Sequence, residues 1–359
     1  MKFYDILQWD PQVTKMRMAK STTKKEKIKL GLGMFLRSIL IVLFAIVFIS
    51  GLSSLFGSKN TPMAVAIFCI LLGARFVDFG YCIKDSLLTL SFAFFLLLVS
   101  PVLADSVFPL LGFFIHVISF FIILFITCDK PEMGNGGLFS FAYIYLSGNP
   151  VYGQDFIQRI CLTLTGLFIC GLIFYSKDRD KNRDIRFVEK IKQVDLKEFK
   201  YQWMIRMSIG VSAMLTLGLA LNIERFMWAG FACGSLLSEY SRQSKIKERF
   251  AQRFIGVIAG SALFYLIYSL LPVELHGMIG PFGGFCLGFC VDYKYKTAIN
   301  CLGALMIASQ IYGLQSAILL RITDTIIGII FAFLFYYVYE RHISGKISSI
   351  RWKPRNIME

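Results

Sequence analysis

The sequence has little of what most enzyme chemistry needs. Three histidines occur in 359 residues: His116 inside an apolar run, His276 in a loop and His342 near the end. No G-x-S-x-G, H-E-x-x-H or P-loop pattern is present. Nucleophile–base hydrolysis, zinc hydrolysis and nucleotide-driven chemistry therefore have no visible seat. Nine cysteines are scattered without a C-x-x-C. Cys286 and Cys290 share a helix face but lack further ligands, so they read as small packing residues. No catalytic residue, metal site or cofactor is expected. Charge is scarce as well, at 17% of residues against 56% hydrophobic. A soluble chain of this length needs far more polar surface to cover itself.

Long apolar runs fill the space. Residues 38–56 carry no charge, and about 20 residues at ~1.5 Å each suffice to cross a bilayer as a helix. Spans are predicted at 36–56, 62–75, 86–104, 107–127, 137–149 and 157–175, then at 203–221, 226–239, 252–271, 277–291, 297–313 and 317–339. The second, fifth and eighth are short, which leaves re-entrant segments and a lower span count open. A polar head of residues 1–35 precedes the first span and reads as leading into a retained helix, not a cleaved signal.

The two apolar blocks resemble each other. Arg37 in MFLRSIL matches Arg206 in WMIRMSI. Lys84 and Arg253 each precede a long apolar run, and those runs end at Pro101-Val102 and Pro272-Val273. Pro109 and Pro281 follow. The last spans begin RICLTLTG (159–166) and RITDTIIG (321–328). The expected architecture is an all-α polytopic transmembrane bundle of two parallel repeats, each of about six helices. Its parts are a basic head (1–35), repeat 1 (36–175), a charged linker (176–202), repeat 2 (203–339) and a tail (340–359). The linker reads as a charged helix bracing the two halves.

Lysine and arginine mark one side. The head, the 76–85 loop, the linker, the 240–251 loop, the 292–296 loop and the tail are cationic, while the alternate loops are almost free of lysine. This places both termini and the linker in the cytoplasm, in a multi-pass protein of a plasma membrane of the bacterial inner-membrane type. The net charge of +15 follows from that bias, helped by attraction to anionic lipid heads. Acids interrupt the basic stretches, as in KDRDKNRD, so nucleic acid is not an expected partner.

Ionisable residues at span edges carry the functional signal, because a charge in hydrocarbon costs a few kcal/mol and so faces a partner or a cavity. Arg321 and Asp324 lie one turn apart in the last span, and Arg159 holds the equivalent place in the first half. Two converging guanidiniums suit a carboxylate, since each planar fork donates parallel hydrogen bonds. The alternative is interfacial snorkelling, with Arg321–Asp324 a local ion pair. Phe139, Phe141, Tyr143 and Tyr145 alternate in a weak span ending at Asn149-Pro150, a helix-break signal. Broken spans are where transporters bind polar ligands.

Residues 224–272 carry a tryptophan-containing span, a basic loop and an R-x-x-G-x-x-x-G helix start at Arg253, Gly256 and Gly260. Together with LLRITDTIIGIIFAFLFYYVY (319–339), this stretch resembles the fusaric-acid-resistance-like family of integral membrane transporters. In the first half Lys84 and Asp85 stand where the arginine would be, and the two glycines are absent. The resemblance implies export of small organic anions, among them aromatic carboxylic acids. On that basis Arg321 and Arg159 would recognise the carboxylate. Trp228, Phe141 and the neighbouring aromatics would line the apolar part, Asn149 at the break would also bind substrate, and Asp324 would carry a coupling proton. The rival readings are a passive anion channel on the same scaffold and a non-transporting scaffold protein. A second copy, or a periplasmic or membrane partner, is compatible with either.

Overall fold

The computed structural model describes residues 3–74, 76–195, 198–240 and 243–342. Tail residues 343–359 and Arg242 of the basic loop lie outside them. The described residues are helical, with no strand.

Two short helices, α1 (Phe3–Gln8) and α2 (Pro11–Lys20), pack on the start of α3 (Lys24–Phe56). Asp10 caps α2 by accepting from the Gln12 N–H at 2.8 Å. Gly33 of α3 lets Ile6 seat against the helix, because a Cβ there would overlap it. The basic residues from Lys24 onward thus continue the first span as one helix of 33 residues.

The rest of the first half is α4 (Thr61–Gly73), α5 (Ile83–Asp105), α6 (Pro109–Thr127), α7 (Asn135–Ser147) and α8 (Gly153–Asp178). A six-residue helix, α9 (Phe187–Lys192), lies in the linker. The second half is α10 (Phe199–Ala220), α11 (Met227–Leu237), α12 (Gln243–Leu270), α13 (Ile279–Leu287), α14 (Tyr293–Tyr312) and α15 (Leu314–His342). Seven helices are long and apolar enough to cross a membrane: α3, α5, α6, α8, α10, α12 and α15. The other five expected spans also fall on helices, but not full-length apolar ones. Helices α4 and α7 have 13 residues, α11 has 11 and α13 has 9, so even the longest reaches only about 20 Å. Helix α14 has 20 residues, but Lys296, Asn300 and Gln310 make it more polar.

The linker differs from the continuous helix predicted for it. Its helical turn ends at Lys192, and Gln193 to Asp195 form no helix. It is held by polar contacts at one end of the bundle. Asp85 accepts from Arg186 Nε and from the Phe187 N–H, both at 2.9 Å. Asp129 pairs with Lys190 at 2.5 Å and Lys200 at 3.1 Å. The Phe187 ring packs on Tyr81, with centroids 5.2 Å apart.

The halves join through α6 against α10 and α7 against α11, and again through α13 against α3. Trp203 of α10 lies over Gly136 of α7, where a Cβ would overlap the indole. Its Nε1 donates to the Ser238 carbonyl at 3.3 Å.

Candidate functional site

Glycine spacing explains where α12 points its first arginine. Arg253, Gly256 and Gly260 are three and seven residues apart, hence on one helix face. A Cβ on Gly260 would run into the Ala298 backbone, and one on Gly256 would stand 2.8 Å from the Lys294 carbonyl oxygen. Backbone therefore meets backbone between α12 and α14. One turn earlier on the same face, Arg253 opens into a cavity.

That cavity has a volume of about 440 Å³ and lies among α7, α11, α12, α14 and α15. Four arginines line it: Arg225, Arg249, Arg253 and Arg321. No carboxylate of the described residues does. Aromatic faces complete the wall. Phe141 stacks on Tyr145 at 5.6 Å and on Phe231 at 5.2 Å. Trp228 lies beneath both Arg225 and Arg321, at 5.5 and 5.0 Å from guanidinium carbon to ring centroid. Charged groups over apolar rings, in a space of this size, suit a small amphipathic anion.

Towards the linker end the arginines are tied into a polar cluster. Arg249 Nε binds Glu239 at 2.8 Å, and its guanidinium donates to the Ser235 carbonyl at 3.1 Å. Tyr293 donates to Ser235 Oγ at 2.8 Å and accepts from Arg253 at 3.4 Å. Arg206, outside the cavity, donates to the Leu237 and Glu239 carbonyls at 3.3 and 3.1 Å. Cations thus satisfy carbonyls at the C-terminal end of α11 that have no partner within the helix.

The expected site residues divide between this cavity and other places. Arg321, Trp228 and Phe141 meet on the cavity wall. Arg159 does not join them. Its side chain is 1% exposed and bonds Asn60 Oδ1, the Asn149 carbonyl and the Lys59 carbonyl at 2.9, 2.8 and 3.1 Å. Asn149 takes part in that knot through its carbonyl, while its side chain donates to the Tyr145 carbonyl at 2.8 Å. Asp324 is 2% exposed and off the cavity wall. It makes no ion pair with Arg321, and both Asp324 Oδ2 and Arg321 Nε are buried without a hydrogen-bond partner. Phe139 and Tyr143 face the opposite side of α7 and are core residues. Tyr143 holds His116 Nδ1 at 2.9 Å.

Arg225, Arg249, Arg253, Tyr293 and Phe231 were not among the expected site residues. By position alone, the arginines read as loop and interface charges. The glycines after Arg253 were the available signal, because a face that packs backbone to backbone cannot also face lipid.

The structure is thus that of a multi-pass membrane protein, all-helical in its described residues, with an arginine-lined cavity. Residues 212–335 match the model of the fusaric acid resistance protein-like family. The match runs from α10 into α15 and contains all four cavity arginines. No curated protein and no solved structure matches the chain.

Proposed function

We propose that this chain exports small organic anions, aromatic carboxylic acids among them, through the cavity between α7, α11, α12, α14 and α15. The observation that carries the reading is the wall itself: four guanidiniums, stacked aromatic rings and, among the described residues, no carboxylate. Arg321 and Trp228 bind the carboxylate and the ring edge, and Phe141 covers the ring face. Asp324, buried one turn from Arg321, carries a coupling proton. Arg159 and Asn149 hold the equivalent end of the first half in place. Both termini and the linker lie on the cytoplasmic side of a plasma membrane, as the lysine and arginine bias of the loops supports.

Two parallel repeats of six helices underlie the site in this reading. Equivalent contacts support it. Helix α3 packs on α4 as α10 does on α11, α4 on α8 as α11 on α15, and α5 on α8 as α12 on α15. Gly166 of α8 meets Ile67 of α4, and Gly328 of α15 meets Ala229 of α11. Each half also lends its fourth helix to the first helix of the other, α6 to α10 and α13 to α3.

Flux of radiolabelled benzoate in proteoliposomes, with and without a pH gradient, tests the proposal. Accumulation driven by the gradient is the expected result. Flux that only follows the anion's own electrochemical gradient would make the protein a channel. Absence of flux across a panel of aromatic and aliphatic acids would refute transport.

A further inference from the structure

The cavity carries more positive charge than the protein neutralises. Of its four arginines, only Arg249 pairs with a carboxylate of the described residues, Glu239. Among the described residues Arg225, Arg253 and Arg321 make no ion pair. The acids nearest in sequence, Glu224 and Asp324, leave them unpaired. Arg253 and Arg321 are 8% and 5% exposed, and the Nε of each is buried with no hydrogen-bond partner. Both line the one cavity, and Asp324, one turn along α15, offsets part of the Arg321 charge without pairing with it. Water in the cavity can hydrate them but cannot cancel their charge. An uncompensated charge buried at membrane depth costs several kcal/mol, and a second like charge in the same cavity adds to that.

We infer that the cavity always holds an anion: a small inorganic monoanion of the halide class occupies the Arg253–Arg321 site whenever no organic anion is bound. This rests on the transport reading above and adds its coupling rule. The carrier passes across the membrane readily when loaded and poorly when empty. Organic anion leaving on one side is replaced there by an inorganic anion, so transport is an exchange.

The test uses the full chain in proteoliposomes loaded with radiolabelled chloride. Adding benzoate, or unlabelled chloride, outside should speed chloride efflux at least about fivefold over an impermeant anion. In the variant Arg321→Gln the anion site loses one of its two guanidiniums, so the stimulated efflux should fall towards the unstimulated rate. If that variant does not fold, the wild-type efflux ratio decides alone. Benzoate flux that ignores the anion on the opposite side would overturn the exchange inference and leave transport standing. If neither chloride nor benzoate moves, the transport reading falls and takes this one with it.

Discussion

Arg321 stands over the face of Trp228, its guanidinium carbon 5.0 Å from the ring centroid. The contact fixes a side chain whose Nε has no other partner. Such a contact is worth about 0.5–2 kcal/mol. Trp228→Leu should therefore raise the KM for benzoate by about two- to thirtyfold while the protein still folds. Arg321→Lys keeps the charge but loses the planar fork and should lower flux by roughly tenfold, about 1.4 kcal/mol. Initial-rate flux measurements on both variants check this. Wild-type kinetics in both would remove Arg321 and Trp228 from the site.

Arg159 should behave differently, although it matches Arg321 in sequence. Its three acceptors are all protein groups, just before α4 and just after α7. Arg159→Gln leaves two carbonyls and a buried amide oxygen short of donors, at about 1–3 kcal/mol each. The expected result is a lower melting temperature in detergent with an unchanged KM in the protein that survives. A changed KM with unchanged stability would put Arg159 in the substrate path instead.

That contrast shows what can be read from the chain alone. Apolar runs and cation placement mark the helices, because lipid imposes composition on each one separately. The pairing of Arg159 with Arg321 is legible in RICLTLTG and RITDTIIG, but their roles are not. One meets Asn60 and backbone carbonyls, the other an indole, and those partners lie far away in sequence. Arg253 is an intermediate case. Its place among basic loop residues argues for an interface anchor, whereas Gly256 and Gly260 on the same face argue for burial. The cavity itself depends on α11 and α14 standing apart, and no local pattern encodes that.

The linker should be docked in a pH-dependent way. Burial alone would raise the Asp129 carboxyl, but hydrogen bonds and charge from Lys190 and Lys200 outweigh it and hold it below the usual carboxylate range. A carboxyl depressed in the folded state stabilises docking above its unfolded value near 3.9, and that stability is lost as pH falls through the lower folded value. Amide protection of residues 185–192 should persist from neutral pH to about pH 4 and drop below it. In Asp129→Asn the loss should be present at neutral pH. Hydrogen exchange, corrected for its intrinsic pH dependence, measures both. Equal protection in the variant and the wild type would mean that other contacts dock the linker.

The linker and the 149–154 turn should lie on opposite sides of the membrane. Asp184 and Gln154 are both exposed, so cysteine placed at either is accessible to a maleimide. In intact cells an impermeant maleimide should label Gln154→Cys and leave Asp184→Cys unlabelled until the membrane is opened. Labelling of both at similar rates would overturn the parallel-repeat arrangement.

Asp324 gives the sharpest test of coupling. It lies one helical turn from Arg321, is 2% exposed, and keeps Oδ2 without a partner. A carboxylate left this way at membrane depth costs several kcal/mol, so binding a proton relieves it, and the anion held at Arg321 favours that protonation. Asp324→Asn mimics the protonated form in size and hydrogen-bonding shape. It should fold, keep benzoate exchange, and lose the acceleration produced by a pH gradient. Asp324→Glu should retain part of that acceleration, since it can still carry a proton. Flux measured with and without the gradient separates the outcomes. If Asp324→Asn responds to the gradient as the wild type does, the proton moves elsewhere and Asp324 is a packing residue of α15.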